Sequence, residues 1–207
     1  EPFKKIGIKT LKPFKISKKI NKAINQIAEI NQKILDNKLF PITLGGEHSI
    51  TPGCIKPFVK KYKKLTLLHF DAHADLRESY AGEKYSHASA IKRCIDHKNV
   101  SVVSFGIRNI SAEEIPTLKK NKKRINIYWA KDKKKWDLNK FKKQIKNKDV
   151  YITFDVDGLD SSIMPATGTP EPGGIFWDEA LEIIKIACKS SRIVGADVNE
   201  LAPIKGF

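Results

Sequence analysis

Two short apolar segments of this chain run directly into clusters of acidic residues. Residues 65–70 and 150–154 are apolar and rich in side chains that favour β-structure, which predicts two buried strands. The acidic segments 71–75 (Asp-Ala-His-Ala-Asp) and 155–157 (Asp-Val-Asp) follow them at once. Unpaired buried charge is costly, so a buried strand should end in carboxylates only where positive charge is present. The pattern predicts a cation site at the ends of two strands.

Strand and helix patterns alternate along the whole chain, without a low-complexity linker, an internal repeat or a change in composition. The predicted strands cover residues 40–44, 65–70, 100–105, 125–129, 150–154 and 193–198. Because they are so apolar, both faces of their sheet must be covered. We therefore expect a three-layer α/β/α domain with a mainly parallel sheet over residues 1–207. Ser17 is predicted to cap a helix that continues to about Lys38, and a further helix is predicted from near Ser86 to His97.

The acidic side chains are spaced so that they can converge. Residues two apart on an extended backbone point in the same direction. Asp71, His73 and Asp75 can therefore meet, and Asp155 and Asp157 can do the same. Oxygen and imidazole ligands suit an ion such as Mn²⁺, and no cysteine lies nearby to make a thiolate zinc site. Four carboxylates balance two divalent ions, and such a pair, about 3.5–4 Å apart, can activate a shared water.

The formal net charge of +16 raises the question of nucleic-acid binding. Only five of the 39 basic residues are arginine, and the lysines are scattered without interleaved aromatic residues. Nucleic-acid readers rely on arginine and on aromatic side chains. We interpret the excess as a solvated lysine-rich surface and expect no nucleic-acid partner. Salt-sensitive retention of DNA without a metal requirement would support the opposite view.

The cysteines and the hydropathy pattern indicate the compartment. Cys54, Cys94 and Cys188 are widely spaced and form no Cys-x-x-Cys motif, which is typical of reduced thiols in a cytoplasmic protein. No apolar stretch approaches the length of about 18 residues that a membrane span requires. We therefore expect a cytoplasmic protein with no membrane partner.

Five short motifs occur in a fixed order between residues 45 and 203. They are Gly45-Gly46-Glu47-His48-Ser49, Phe70-Asp71-Ala72-His73-Ala74-Asp75, Phe154-Asp155-Val156-Asp157-Gly158-Leu159-Asp160, Thr167-Gly168-Thr169-Pro170-Glu171-Pro172-Gly173-Gly174 and Asp197-Val198-Asn199-Glu200-Leu201-Ala202-Pro203. Each motif alone is modest, whereas five in order are a strong signal. Through them the chain resembles the arginase/agmatinase (ureohydrolase) family, and most of all an agmatinase.

The resemblance implies a fold of the arginase/deacetylase type and two Mn²⁺ ions per chain. One ion would be held by His48, Asp71, Asp75 and Asp155. The other would be held by His73, Asp71, Asp155 and Asp157, so that Asp71 and Asp155 bridge the two ions. A single-zinc deacetylase of the same general fold fits less well, because His73 and Asp157 would supply a second metal site.

The resemblance also implies residues that act on the substrate. Glu200 matches a guanidinium-binding carboxylate, and His87 matches a proton-shuttling histidine that protonates the departing amine. Thr169 matches a hydroxyl that lines the site. Glu83, on the loop after the first acidic segment, suits an amine at the far end of the substrate. His69 is interpreted as a residue of the core or a support for the ligands.

The implied reaction is hydrolysis of a small cationic guanidino compound to urea and an amine. Conversion of agmatine to putrescine and urea, a step of polyamine biosynthesis, fits best because Glu171 matches the agmatinase-like form of its motif. An N1-aminopropylagmatine ureohydrolase is the close alternative, and an arginase or guanidinobutyrase stays open. We expect a homo-oligomer.

The ends of the chain lead to a second hypothesis, in which the protein is not an active enzyme. Family members usually extend beyond both Glu1 and Phe207, so we expect the catalytic domain to be incomplete at both termini. A truncated, catalytically silent module that binds metal or associates with other subunits is therefore the alternative to an enzyme.

Overall fold

Six parallel strands form the sheet at the centre of the fold. The computed structural model describes residues 2–205, with side chains from Lys4 onward. The strands are Ile42–Leu44 (β1), Leu65–Phe70 (β2), Val100–Phe105 (β3), Ile125–Tyr128 (β4), Asp149–Asp155 (β5) and Arg192–Asn199 (β6). The helices are Pro2–Ile6 (α1), Ile20–Asp36 (α2), Thr51–Lys61 (α3), Ala90–Ile95 (α4), Ile115–Lys120 (α5), Leu138–Ile145 (α6) and Trp177–Ser190 (α7).

The strand order places the two acidic segments side by side. The order is β1-β6-β5-β2-β3-β4, and every pairing is parallel. β2, β3 and β4 follow one another toward one edge, whereas β5 and β6 lie on the other side of β2. The direction of winding therefore reverses between β2 and β5, and open α/β sheets bind their ligands at such a switch point.

Helices cover both faces of the sheet, because successive side chains of each strand point to opposite sides. Leu67 packs in a buried cluster with residues of α2, α3 and α4, including Ile55 of α3. Leu68 packs in a second cluster with residues of α6 and α7, including Phe141 of α6. Full burial of one such side chain stabilises the fold by about 1.5–3 kcal/mol. The predicted three-layer α/β/α architecture is confirmed.

One local prediction was wrong. Ser17 does not cap α2, which begins after Lys19 without a side-chain cap. The Ser17 hydroxyl instead accepts a hydrogen bond from the Lys19 amide, while the Ser17 amide donates to Gln26 Oε1. The helix predicted from Ser86 begins as a 3₁₀ turn, and α4 follows it. Among the residues that the structure describes, no helix combines the length and apolar character needed to cross a membrane.

Candidate metal centre

Four side chains from three segments of the chain meet beyond the carboxyl ends of β2 and β5. His48 lies in a 3₁₀ turn after β1, and its Nδ1 is 3.0 Å from Asp75 Oδ2, 3.1 Å from Asp71 Oδ2 and 3.4 Å from Asp155 Oδ2. All four residues are buried. Yet His48 Nδ1 makes no hydrogen bond, so the ring nitrogen faces the space among the oxygens. Ligand atoms of an octahedral ion with bonds of about 2.1 Å lie about 3 Å apart, which this spacing fits.

Asp71 also belongs to a second group. His73 Nδ1 lies 3.0 Å from Asp157 Oδ2 and 3.5 Å from Asp71 Oδ1. Asp71 thus presents Oδ2 to His48 and Oδ1 to His73, as a bridging carboxylate must. Asp155 turns Oδ2 toward His48, whereas its Oδ1 accepts a hydrogen bond of 2.9 Å from the Asp157 amide. A bridging role for Asp155 stays a prediction.

Backbone amides hold these carboxylates in place. The His73 amide donates to Asp71 Oδ1 at 2.6 Å. The Ala72 amide donates to Asp157 Oδ1 at 2.9 Å, which ties the turn after β2 to the turn after β5. Asp75 has a φ of +54°, in the left-handed region that side chains other than glycine rarely adopt. Such strain persists where the surrounding structure enforces it, and it concentrates at functional sites.

The carboxylates of the cluster repel one another, and their burial disfavours the charged forms. Burial and repulsion from Asp71 raise the pKa of Asp75 to about 6. Burial and the same repulsion raise the pKa of Asp155 well above its usual range. Burial would raise the pKa of Asp71 too, but close contacts with three neighbouring histidines hold it well below its usual range. A divalent cation among these oxygens would remove the repulsion.

The negative charge of the cluster also raises the pKa values of the two imidazoles, because it favours their protonated forms. Burial would lower the pKa of His48, but contacts with three carboxylates, Asp155 foremost, raise it well above its usual range. Burial also opposes protonation of His73, yet Asp157 and Asp71 raise its pKa to about 11. The protonated rings thus supply positive charge to the cluster. The donor set and its charge fit divalent cations, which would replace those protons.

Glu200 reaches the cluster from the far end of the chain. Its Oε1 accepts a hydrogen bond of 2.6 Å from the His48 amide, and its own amide donates to the Gly46 carbonyl at 2.7 Å. Glu200 also has a left-handed φ of +64°. Burial raises the pKa of its carboxyl group. Because Oε1 is engaged with His48, Oε2 is the oxygen that can accept from a cationic group.

His87 and Glu47 form a pair at the rim of the cluster. His87 Nδ1 lies 2.8 Å from Glu47 Oε1, and the two side chains are 45% and 52% exposed. Glu47 directly precedes His48, so the pair lies between the buried cluster and solvent. The Tyr80 ring lies against His87 with a centroid distance of 5.5 Å. An exposed imidazole in this position is suited to exchanging protons with water.

The two substrate residues with the weakest sequence signals have different surroundings. Thr169 Oγ1 donates to Asp157 Oδ2 at 3.1 Å, so this loop hydroxyl does contact the cluster. Glu83 is exposed, and its carboxylate accepts a hydrogen bond from the Tyr85 amide of its own loop. The contacts described for Glu83 therefore do not bring it to the cluster, and its substrate role stays a prediction.

His69 contacts the cluster from the buried interior of the fold. It is fully buried, with Nε2 2.8 Å from Asp71 Oδ2 and Nδ1 3.0 Å from Ser104 Oγ. The ligand atoms of His48, His69 and Asp71 all lie within 4.8 Å of one another, which makes this trio a possible metal group as well. However, both ring nitrogens of His69 are already engaged. The geometry therefore fits a support for Asp71 better than a ligand.

Arg108 is a candidate for supporting the site, although no sequence motif indicates it. Its guanidinium donates to six backbone carbonyl oxygens at 2.7–3.4 Å, those of Gly106, Asp157, Gly158, Leu159, Glu171 and Pro172. Arg108 thus joins the turn that carries Asp157 to the loop that carries Thr169. The sequence signal that could have identified Arg108 is its position just after β3. The carboxyl end of this strand lies on the same side of the sheet as the acidic segments.

Together, the fold and the cluster define a class of protein. It is an α/β/α protein with carboxylates and imidazoles gathered at the switch point of a parallel sheet, in an arrangement suited to divalent cations. This cluster contains residues with a left-handed backbone conformation, the Asp71 carboxylate that faces both histidines, and groups whose pKa values are raised.

Comparison with known proteins identifies the family. The sequence profile of the Arginase family matches residues 1–206, so the chain belongs to the arginase family. It is 39% identical over 189 residues to the agmatinase of Bacillus anthracis, a match that covers 88% of this chain and 62% of that protein. It is 29% identical over 214 residues to the N(1)-aminopropylagmatine ureohydrolase of Synechocystis sp., covering 99% of this chain and 69% of that protein.

A solved structure supports the same assignment. The agmatine ureohydrolase of Thermoplasma volcanium has a TM-score of 0.79 and 31% sequence identity to this chain, with 92% of this chain and 64% of that chain covered. The chain thus spans a little under two thirds of the length of its agmatinase relatives. The predicted family and the arginase-like fold are confirmed.

Proposed function

We propose that this chain hydrolyses the guanidino group of a small cationic compound, releasing urea and an amine, with two Mn²⁺ ions bound. The observation that carries the proposal is the convergence of four buried carboxylates and two imidazoles, with Asp71 facing both histidines. Membership of the arginase family supports it.

The metal ions would be shared between two sets of ligands. One set is His48, Asp71, Asp75 and Asp155, and the other is His73, Asp71, Asp155 and Asp157. When bound, two such ions lower the pKa of a water that they share and so supply a nucleophile at neutral pH. Oxygen and imidazole donors without a thiolate suit Mn²⁺.

The remaining residues bind and orient the substrate. Glu200 would receive the planar guanidinium on Oε2, while its Oε1 stays bonded to the His48 amide. Thr169, bonded to Asp157, would line the same space. His87 would donate the proton that the departing amine needs, and Glu47 would hold its ring at the rim.

Agmatine is the substrate that we propose, with putrescine and urea as products. The agmatinase of Bacillus anthracis is 39% identical to this chain. The similarity to an N(1)-aminopropylagmatine ureohydrolase keeps the longer polyamine as an alternative. Arginine and guanidinobutyrate also remain open, because the residues that would hold the far end of the substrate, Glu83 among them, are not brought to the cluster by the contacts described.

The wider setting is part of the same proposal. We propose a single catalytic domain, a place in polyamine biosynthesis, a cytoplasmic location and assembly into a homo-oligomer, without nucleic-acid or membrane partners. The alternative to an active enzyme is a catalytically silent module that binds metal or associates with other subunits.

A screen for urea release tests the proposal. The purified chain is incubated with saturating Mn²⁺ and, separately, with agmatine, aminopropylagmatine, arginine and guanidinobutyrate. We expect urea from agmatine first of all, and none from Asp155→Ala. The exposed Asp178→Ala, on α7, is the matched control and should retain activity. Mn²⁺ binding without urea from any guanidine would favour the silent module.

A further inference from the structure

A row of polar side chains crosses the sheet one level below the metal cluster. Its members occupy paired positions on five neighbouring strands, namely Thr43, Asp197, Thr153, His69 and Ser104. On β2 and β5 the row lies two residues before Asp71 and Asp155 of the cluster, so both levels are on the same face of the sheet. The row is therefore placed to orient the ligands above it.

Asp197 is the charged member that the proposed reaction does not use. It is fully buried, and its Oδ1 accepts hydrogen bonds from Asn199 Nδ2 at 2.6 Å, Thr153 Oγ1 at 2.7 Å and Thr51 Oγ1 at 3.1 Å. Burying a carboxylate costs free energy unless it is paired or hydrogen-bonded. Three polar side chains therefore converge on Oδ1 of Asp197.

Thr153 connects Asp197 to the metal cluster. Its hydroxyl has one proton, and the shortest contact of that hydroxyl is the 2.7 Å bond to Asp197 Oδ1. The lone pairs of Thr153 Oγ1 are then left to accept from His48 Nε2, which is 3.0 Å away. An imidazole that donates through Nε2 carries its lone pair on Nδ1 when it is neutral. Nδ1 is the atom of His48 that faces the three carboxylates.

We propose that Asp197, acting through the Thr153 hydroxyl, is a positioning residue that holds His48 with its proton on Nε2 and its lone pair on Nδ1. The inference rests on the proposed function, since it treats Nδ1 as a metal donor. Partners of this kind fix the tautomer and the ring orientation of metal-binding histidines, and losing one weakens metal affinity about 10–100-fold.

Three variants of the full chain separate positioning from mere packing. Thr153→Val removes the hydroxyl at nearly constant volume, and Thr153→Ser keeps it. Thr66→Val is the matched control, because Thr66 is also a buried threonine of the same sheet, and it contacts Ser101 at the opposite end of β2 from the cluster. We expect the dissociation constant of Mn²⁺ to rise about 10–100-fold in Thr153→Val. Thr153→Ser and Thr66→Val should bind Mn²⁺ as the unaltered chain does.

A second measurement uses the unaltered chain and so does not depend on a variant that folds. Zn²⁺ is diamagnetic and can be loaded for ¹⁵N NMR of the histidine rings. We expect the His48 ring to show a protonated Nε2 and a metal-bound Nδ1. The reverse tautomer, or an Mn²⁺ affinity unchanged in Thr153→Val, would overturn the inference and leave the proposed function standing. An unaltered chain that binds no Mn²⁺ would overturn both.

Discussion

The amide of His48 donates a hydrogen bond of 2.6 Å to Oε1 of Glu200, across 152 positions of sequence. This bond joins a candidate metal ligand to the candidate guanidinium-binding carboxylate. A second hydrogen bond connects the same two segments, because the Glu200 amide donates to the Gly46 carbonyl. Two hydrogen bonds therefore tie the segment of the candidate metal ligand to the candidate guanidinium-binding carboxylate.

Glu200→Gln should separate substrate binding from metal binding. The glutamine can still accept from the His48 amide, so the dissociation constant of Mn²⁺ should not change. The loss of a charge-assisted bond to the guanidinium, about 1.5–3 kcal/mol, should lower kcat/KM about 10–100-fold. Urea release and Mn²⁺ titration measure the two effects. Glu113→Gln, at an exposed glutamate paired with Arg77, is the control. Equal kcat/KM in Glu200→Gln and the unaltered chain would remove Glu200 from the site.

Mn²⁺ should stabilise the fold, because a bound cation relieves the repulsion among the buried carboxylates. An ion at 100 times its dissociation constant contributes about 2.7 kcal/mol. For a chain of this length, that corresponds to a rise in Tm of about 5–10 °C. Thermal unfolding with Mn²⁺ and with a chelator measures the difference. Asp157→Asn should reduce the shift, whereas the exposed Asp178→Asn should keep it. Identical shifts in both variants would be inconsistent with a role for Asp157.

Arg108→Lys should loosen the loop of residues 158–174 while keeping the positive charge. Lysine cannot direct a planar fork at several carbonyls at once, so most of the six contacts should be lost. We expect faster amide exchange at Gly158 and Leu159 and lower activity. Arg77→Lys, at an exposed ion pair, should change neither. Unchanged exchange in Arg108→Lys would show that the loop is held by other contacts.

Asp160 should make the same loop sensitive to acid. Hydrogen bonds from Ser162, Gly173 and Gly174 lower the pKa of Asp160 to about 2. A lowered pKa means that the ionised carboxylate stabilises the fold above its ordinary pKa, and that this contribution is lost as pH falls through about 2. At pH 6 the Gly173 and Gly174 amides should exchange faster in Asp160→Asn than in the unaltered chain. The difference should narrow as pH is lowered toward 3, and a constant difference would contradict this prediction.

Much of the fold could be predicted because its signals are local. β2 and β3 begin and end at the predicted residues, since each is a short run rich in apolar residues that favour β-structure, bounded by polar residues or glycine. β1 is two residues shorter than predicted at its start. Pro41 explains part of that difference, because proline has no amide to donate to a neighbouring strand. Asp137 caps α6 by accepting a hydrogen bond from the Lys140 amide, a role typical of an aspartate just before a helix.

The contacts that support the site could not be predicted in the same way. Asp71 and Asp155 follow apolar runs, so their neighbours in sequence reveal them. Five of the six carbonyls that Arg108 contacts are 49 to 64 positions away. The link from Asp197 through Thr153 requires β5 and β6 to be neighbours in a particular register. The order and register of the strands emerge only when the whole sheet assembles.

The most direct test measures urea release from agmatine while Mn²⁺ is added stepwise to the metal-free chain. Two ions per chain, held by ligand sets that share Asp71, predict that the rate of urea release rises until two equivalents of Mn²⁺ are bound and then stays constant. Saturation at one equivalent, or no urea at any ratio of Mn²⁺ to chain, would contradict a two-metal ureohydrolase.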